Sequence, residues 1–297
     1  MNRTVFLLFL ATLFWSLSLH GESNDVKEKA LQGNVDAEFD LGVIYYNGQG
    51  VKQNYQKALK WYHKAALQGD AEAQFNLGIM YYRGQGATRN YKESAHWFQK
   101  AASQHYAEAQ YHLGILYNKG VGVEQSAQEA LKWFLKAAKQ GEVKSQYNVG
   151  VFYRDGRGVL KDNSKAAEWL HKAARQNLPN AQNDLGLLYL TGSGVAQIDD
   201  IAINLFRDAA KLGYADAQNN LAVMYGNGRG VPQDIAVAYM WLILANHNGN
   251  SNAKSGMAEL KREMTSKQLT IAKTSAQRCL DSNYKLCYIL KSERSGS

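Results

Sequence analysis

Few residues in this 297-residue chain have the types and the spacing that catalysis requires. Ser251 and Lys254 form a Ser-x-x-Lys pair, in which a lysine helps to activate a serine for acyl transfer in penicillin-binding enzymes. The accompanying Ser-Asp-Asn and Lys-Thr-Gly motifs are absent, as are His-Glu-x-x-His, Gly-x-Ser-x-Gly and the phosphate-binding loop. We therefore expect no catalytic residues, no cofactor and no enzymatic activity.

The first 21 residues have the layout of a secretory signal. Arg3 is followed by an uncharged, mainly apolar run over residues 5–15 and then by small or polar residues up to Gly21. This run is shorter than the roughly 20 residues that a membrane-spanning helix needs. We therefore expect residues 1–21 to be a cleaved signal peptide and the protein to be periplasmic or secreted. An uncleaved membrane anchor is the alternative.

The two cysteines lie close together near the C-terminus. Cys279 and Cys287 are the only cysteines in the sequence. In an oxidising compartment, an even number of cysteines at short separation predicts a disulfide. Two cysteines without a nearby histidine supply too few ligands for zinc. We therefore predict a Cys279–Cys287 disulfide and no metal site.

The chain before these residues follows a repeat, which is clearest in the segment from Ala71 to His105. This segment contains a Leu77-Gly78 pair, and a related pair recurs at steps of 36 residues. A period of about 20 to 50 residues is typical of a solenoid, whose units bury their apolar faces by stacking on their neighbours. We number the repeats 1 to 6 by these pairs: Leu41-Gly42, Leu77-Gly78, Leu113-Gly114, Val149-Gly150, Leu185-Gly186 and Leu221-Ala222.

Each repeat reads as a pair of helices. Ala73, Leu77 and Met80 have the spacing of one apolar helix face, and Gly78 lies beside them in mid-helix. Glycine costs about 1 kcal/mol in a helix, so we expect it to allow close approach of the partner helix. A Gly-x-Gly pair then predicts a turn with positive φ angles. These pairs are Gly48 and Gly50, Gly84 and Gly86, Gly120 and Gly122, Gly156 and Gly158, Gly192 and Gly194, and Gly228 and Gly230.

The second helix of repeat 2 is predicted from Tyr91 to Gln104, with Ala95, Trp97, Phe98, Ala101 and Ala102 as its buried set. A tryptophan recurs in the register of Trp97, and we expect its ring to fill the gap beside the small residues. Exposed rings for a sugar or a cofactor are the alternative. This register contains Trp61, Trp97, Trp133, Trp169, Leu205 and Trp241, in which Leu205 is the single departure.

The combined pattern, A-x-A-Q-x-x-L-G-x-x-Y-x-x-G-x-G followed by K-A-x-x-W-x-x-K-A-A, resembles the Sel-one-like repeat. In repeat 2 the match runs through Ala71–Gln74, Tyr81–Gly86, Trp97 and Lys100–Ala102. The family is related to the tetratricopeptide repeat. The resemblance implies a right-handed superhelix of antiparallel helix pairs that binds other proteins, often in the bacterial envelope.

The predicted fold is therefore an all-α solenoid of six 36-residue repeats, made of antiparallel helix pairs. A short N-terminal half-repeat covers its first unit, because terminal units of a solenoid must present a polar outer face. A C-terminal helical cap follows at the point where the repeat register breaks. The predicted segments are a signal peptide (1–21), an N-terminal capping helix (22–35), the repeats (36–250) and a disulfide-containing cap (251–297).

Two registers on the first helices are the candidate partner-binding surface. One register holds aromatic residues in repeats 1 to 4, and the other offers a polar side chain in every repeat. Tyr46 and Tyr82 add rings in repeats 1 and 2, and Ile79 lies on the same face as the polar register. Aromatic rings are common anchors in protein interfaces, although these rings and amides could instead pack or bond within the chain. The candidate binding residues are Phe39, Asp40, Tyr46, Phe75, Asn76, Ile79, Tyr82, Tyr111, His112, Tyr147 and Asn148.

We therefore expect an exported scaffold that binds a protein or peptide on a concave face, in regulation or assembly of the cell envelope. Nucleic acid is not an expected partner, but the basic C-terminal cap could bind an anionic envelope component. A β-lactam-binding or β-lactam-hydrolysing enzyme, resembling cysteine-rich members of the family, is one alternative. Peptidoglycan or glycan binding is the other. His63 and His171 share a register but are three repeats apart, too far to hold one metal.

Overall fold

The computed structural model describes residues 25–287, which form two compact units that divide between Glu142 and Val143. The predicted signal peptide and the chain after Cys287 lie outside the described residues. The first unit contains repeats 1 to 3. Its helices are α1 (25–31), α2 (Val35–Asn47), α3 (Tyr55–Leu67), α4 (Ala71–Arg83), α5 (Tyr91–Ser103), α6 (Ala107–Lys119) and α7 (Ala127–Lys139).

The second unit contains repeats 4 to 6 and the C-terminal cap. Its helices are α8 (Val143–Asp155), α9 (Asn163–Arg175), α10 (Pro179–Thr191), α11 (Asp199–Lys211), α12 (Ala215–Asn227), α13 (Ile235–His247), α14 (Ala253–Leu260) and α15 (Ser266–Asp281). No strand occurs between residues 25 and 287. The predicted fold class, an all-α solenoid of helix pairs, is confirmed. Over the same range, every helix is too short or too polar to cross a membrane.

The helix pairs of repeats 1 to 5 each pack through a mid-helix glycine. A Cβ added at Gly78 would lie 2.5 Å from the Phe98 ring, and one added at Gly114 would lie 2.6 Å from the Phe134 ring. The expected close approach is therefore real, but the glycine accommodates a side chain rather than a helix backbone. The facing residues are Tyr62, Phe98, Phe134, Leu170 and Phe206, opposite Gly42, Gly78, Gly114, Gly150 and Gly186.

This arrangement corrects the expected role of the tryptophan register. The residue that follows the tryptophan, such as Phe98, fills the space at the glycine. Trp97, Trp133 and Trp241 are also buried, but Trp61 and Trp169 are only half-buried. Lys64 and Lys172 lie over the rings of these two at 4.3 and 4.0 Å, which is cation–π geometry.

The Gly-x-Gly turns have the predicted backbone conformation. Every glycine of these six pairs has a positive φ angle, between 66° and 77°. The first glycine, such as Gly84, caps the helix in the left-handed conformation, and its amide donates to the Met80 carbonyl. A Cβ on the second glycine, Gly86, would collide with the Tyr55 carbonyl of the preceding repeat. The loop closes when the Asn90 amide donates to the Tyr81 carbonyl at 3.0 Å, just before α5 begins.

A ladder of buried glutamines, which the sequence patterns did not predict, joins neighbouring helices. Gln74 is buried, and its Nε2 donates to the Ala66 carbonyl of the preceding repeat at 3.0 Å. Gln104 then donates from Nε2 to Gln74 Oε1 at 2.9 Å and to the Gly69 carbonyl at 2.8 Å. The same side-chain bond recurs between Gln140 and Gln110, Gln176 and Gln146, and Asn248 and Gln218.

The ladder has one interruption, in repeat 5. Leu212 occupies the donor position there, and the buried Oε1 of Gln182 has no hydrogen-bond partner among residues 25–287. An unsatisfied buried acceptor loses its bond to water without regaining one in the protein. Repeat 5 is therefore the weakest point of the ladder.

The C-terminal cap packs on α13. Thr265 starts α15 with a capping box, in which its side chain accepts from the Gln268 amide and Gln268 accepts from the Thr265 amide. Cys279 and Cys287 form the predicted disulfide. The Tyr284 hydroxyl donates to Asn248 Oδ1 at 2.9 Å, so the cap continues from the last side chain of the glutamine ladder.

The Gly78–Phe98 contact can be tested by substitution. Gly78→Ala is expected to lower the free energy of unfolding by about 1 to 2 kcal/mol, because overpacking exceeds the gain in helix propensity. The double variant Gly78→Ala/Phe98→Leu should recover part of this loss, because repeat 6 carries Ala222 and Leu242 in these registers. Urea unfolding measures both effects, with Phe98→Leu alone as the control. A Gly78→Ala protein more stable than wild type would contradict the predicted collision.

Restoring the missing donor of the glutamine ladder in repeat 5 should stabilise the protein. Leu212→Gln should raise the free energy of unfolding by about 0.5 to 1.5 kcal/mol, because it supplies the missing donor to Gln182. Leu212→Met is the matched control, since it has a similar length but no donor group. Thermal and urea unfolding of both variants provide the measurement. Equal stabilisation by glutamine and methionine would show that the hydrogen bond does not contribute.

Candidate functional site

The predicted partner-binding residues of the first unit lie along its first helices, α2, α4 and α6. We call Phe39, Tyr46, Phe75, Tyr82 and Tyr111 the aromatic strip, and Asp40, Asn76 and His112 the polar strip. Asp40 is exposed and all the other members are half-buried. Ile79 is also half-buried, and it packs against the core formed by α5 and α6. Both strips therefore retain accessible surface while one side of most rings is covered.

Phe75 is the centre of a ring cluster that joins repeats 2 and 3. Its ring centroid lies 5.7 Å from that of Phe98, 5.2 Å from that of Tyr106 and 5.5 Å from that of His112. His112 stacks on Phe98 at 5.2 Å, and Tyr111 meets His112 edge-on at 5.3 Å. These contacts hold the exposed edges of the rings in fixed positions, so little side-chain entropy remains to be lost on binding.

The tyrosines of the aromatic strip are braced in the same way. Tyr46 packs against Tyr55 at 5.2 Å, and its hydroxyl donates to Gln85 Oε1 at 3.1 Å, which links repeats 1 and 2. Tyr82 packs against Tyr91 at 5.2 Å, at the start of the second helix of the same repeat. Phe39 lies 5.6 Å from Tyr62, the ring that fills the space at Gly42. These contacts show packing on one side of each ring, and binding at the accessible side stays a prediction.

The surroundings of Tyr111 keep its hydroxyl protonated and uncharged. Partial burial raises the pKa of Tyr111, and the nearby Glu142 carboxylate raises it further. Its hydroxyl therefore remains a neutral donor at physiological pH. Although Asp40 is exposed, loss of part of its hydration, together with the charge of Asp36, raises the pKa of its carboxyl above the ordinary value.

The second unit uses the same registers differently. The hydroxyl of Tyr147 donates to Asp184 Oδ2 at 3.2 Å, and burial is the main cause of its raised pKa. Asn148 donates to the Lys144 carbonyl of its own helix at 2.8 Å. Both predicted binding residues thus have partners within the protein. Tyr147 and Asn148 belong to the second unit, whereas both strips belong to the first.

An ion pair beside Tyr147 was not predicted. Arg154 donates from Nη1 to Asp184 Oδ2 at 2.6 Å, and from Nε to Asp155 Oδ1 at 2.8 Å. Hydrogen bonding to Asp155 is the leading cause of the raised pKa of the Arg154 guanidinium. Asn183 Nδ2 donates to Asp184 Oδ1 at 3.2 Å, which extends the network. In the sequence, the only sign of this ion pair is that Asp184 occupies the polar register of repeat 5 and Arg154 lies in repeat 4. Spacing along the chain does not show that the two residues meet.

The other chemical candidates are not assembled into a site. Ser251 lies in an exposed turn, and Lys254 is exposed in the first turn of α14. His63 contacts Trp97 edge-on at 5.4 Å, in the first unit, while His171 belongs to the second. Over residues 25–287, no group of three or more His, Cys, Asp or Glu side chains could hold a metal ion.

The predicted basic surface of the cap is present as far as the structure describes it. Six cations in the described part of the cap are exposed, including Lys285 next to the disulfide, and Arg278 is half-buried on α15. Lys291 and Arg294 lie outside the described residues. The five exposed cations of α14, α15 and the turn between them are Lys254, Lys261, Arg262, Lys267 and Lys273.

Three solved structures of bacterial proteins are similar to this chain. A Sel1 repeat protein from Oxalobacter formigenes is 32% identical with a TM-score of 0.64, and the match covers 78% of this chain and 95% of that one. A protective antigen from uropathogenic Escherichia coli, which displays an SLR fold, is 26% identical with a TM-score of 0.41, covering 93% and 74%. An immunity protein from Pseudomonas aeruginosa is 17% identical with a TM-score of 0.41, covering 73% and 83%. A search of curated proteins gave no match.

The family assignment rests on the repeat itself. The Sel1 repeat profile matches six consecutive segments, and together they include all the helix pairs from α2 to α13. The matched segments are residues 35–70, 71–106, 107–142, 143–178, 179–214 and 215–250. This chain therefore belongs to the Sel1 repeat family.

Proposed function

We propose that the protein is an exported scaffold that binds a protein or peptide partner along the first helices of repeats 1 to 3. Sel1 repeats generally mediate protein–protein interaction, and their fold is typically non-catalytic. The observation that supports this particular surface is the aromatic strip, whose rings are half-buried and fixed by neighbouring rings. Rigid aromatic groups with one accessible side are typical anchors of protein interfaces.

The polar strip supplies the complementary recognition. Asp40, Asn76 and His112 stand next in sequence to Phe39, Phe75 and Tyr111. An extended peptide has an amide donor and a carbonyl acceptor at almost every residue. Carboxylate, amide and imidazole groups at one position per repeat could pair with such a backbone while the rings bind its side chains. We propose that this surface is concave, as in related repeat arrays, and that its partner acts in regulation or assembly of the cell envelope.

The binding surface can be tested by removing two rings. Phe75→Ala/Tyr82→Ala should reduce partner recovery in a pull-down by at least about tenfold, the scale expected when hot-spot side chains are truncated. Tyr153→Ala is the matched control, because it removes a half-buried ring from a first helix of the other unit.

Crosslinking identifies the partner in the same experiment. A photoreactive phenylalanine at position 75 should capture the partner, whereas the same group at the 89%-exposed Leu160 should not. Circular dichroism must show that the double-alanine variant is folded. Undiminished recovery by the folded variant would exclude the aromatic strip as the binding surface.

Export is a separate proposal with its own test. The charged start, apolar run and polar end of residues 1–21 support a cleaved secretory signal. N-terminal sequencing of protein from the periplasm or medium should find a mature chain that begins soon after Ser18 or Gly21. An intact Met1 in the membrane fraction would contradict cleavage.

In an exported protein, the basic cap would bind anionic lipid or polysaccharide, and added salt should weaken that binding.

A further inference from the structure

A cleft in the second unit lies on the side of the second helices rather than on the two strips. It has a volume of about 610 Å³ and is bounded by α9, α10 and the turn that follows α10. Ala167, Leu185 and Tyr189 form its apolar wall. His171, Lys172 and Arg175 line it along the last turns of α9. The cleft therefore combines an apolar wall with a basic rim.

The apolar wall of the cleft belongs to the core against which the single departure from the tryptophan register packs. Trp97 and Trp133 are each buried between the first helix of their own repeat and the second helix of the preceding repeat. In repeat 5 this position is Leu205, which packs against the core that contains Ala167 and Leu185. A leucine fills less of the space than an indole does. Part of the missing ring volume therefore remains open.

A small residue, Ala167 of repeat 4, belongs to the core against which Leu205 packs. Position 167 is alanine, whereas the same register holds Leu59, Leu131, Ile203 and Tyr239 in repeats 1, 3, 5 and 6. Repeat 2 has Ala95, but Trp133 follows it in repeat 3. Repeats 4 and 5 thus provide the one place where a small residue in this register is followed by a repeat without the tryptophan.

A corresponding groove in the first unit shows the effect of the indole. It is lined by Leu59, Lys60, His63 and Lys64, and its volume is only about 290 Å³. The Trp97 ring lies beside this groove, 5.4 Å from that of His63, which lines it. His171 has the register of His63. An aromatic ring that entered the larger cleft would therefore meet His171 in the way that Trp97 meets His63.

The charges around the cleft indicate which chemical group would accompany a bound aromatic ring. Arg175 and Lys172 form no salt bridge with any residue in the described part of the chain, and Lys172 lies over the Trp169 ring at 4.0 Å. Glu168 is the one acid that lines the cleft. Lys165, one helical turn before Glu168, is paired with Asp162 at 3.0 Å, so the charge of the cleft is set by Lys172 and Arg175 against the single carboxylate of Glu168. An acidic group next to the bound ring would find two available cations.

We propose that this cleft binds an aromatic side chain of a partner polypeptide that carries acidic residues beside the ring. The ring occupies the space that tryptophan fills in neighbouring repeats, and the carboxylates face Lys172 and Arg175. This site is independent of the strips of the first unit. Phe75→Ala/Tyr82→Ala should leave it unchanged, so either proposal can fail without the other.

The test uses the purified full-length chain and a fluorescein-labelled peptide with a central tryptophan flanked on each side by two glutamates. Fluorescence anisotropy should show saturable binding, which weakens at least about tenfold when alanine replaces the tryptophan of the peptide. Leu205→Trp is the decisive variant, because it fills the cleft with the residue that the other five repeats already contain. It should weaken binding at least about tenfold while the melting temperature stays the same or rises.

Two controls separate the cleft from general effects. Leu160→Trp adds an indole at an 89%-exposed position and should bind the peptide like wild type. Lys172→Glu/Arg175→Glu should lose affinity for the acidic peptide at least about tenfold and prefer a peptide with lysines around the tryptophan.

Several results would overturn the proposal. These are no binding by the wild-type chain at peptide concentrations up to about 1 mM, wild-type affinity in a folded Leu205→Trp variant, or equal binding of the alanine peptide. Free indole-3-acetate that binds as tightly as the peptide would assign the cleft to small aromatic acids instead.

Discussion

The structure depends on the contact between a mid-helix glycine and the large side chain that faces it from the second helix. Gly78 and Phe98 are twenty residues apart, and the same spacing joins the corresponding pairs in repeats 1 and 3 to 5. Because the glycine has no Cβ, the ring lies against the helix surface itself. This contact sets the distance between the two helices of a repeat, and the buried glutamine ladder then ties one helix pair to the next.

The glycine contact and the glutamine ladder do not constrain the surface residues, which therefore differ between repeats. The proposed binding sites lie at these differing positions. In the first unit the aromatic strip puts rings at accessible positions, and contacts such as Phe75–His112 hold them in place. In the second unit the same registers form an internal network around Asp184 and Arg154. The single loss of tryptophan, at Leu205, opens a cleft without removing the glycine contact beside it, because Gly186 still receives Phe206. A repeat can thus lose one core residue and gain a surface feature.

Sequence periodicity was sufficient for the helices and turns, because those depend on local chemistry. The helix predicted from Tyr91 to Gln104 is observed as Tyr91–Ser103, with Gln104 as its cap. The glycines of every Gly-x-Gly pair have the predicted positive φ. The Cys279–Cys287 disulfide followed from cysteine number and separation. Each of these features involves residues that are close in the chain, or a pattern that one repeat already contains.

By itself, the sequence determined the repeat length, the helix pairs, the turns and the pairing of the cysteines. Only the tertiary structure decided which large residue fills the space at Gly78, since Trp97 and Phe98 are neighbours that point to different partners. It also decided that Tyr147 is bonded to Asp184 while Phe75 keeps an accessible side, and that the Leu205 departure leaves a cleft. The physical reason is that these outcomes depend on distances between helices, which no spacing along the chain specifies.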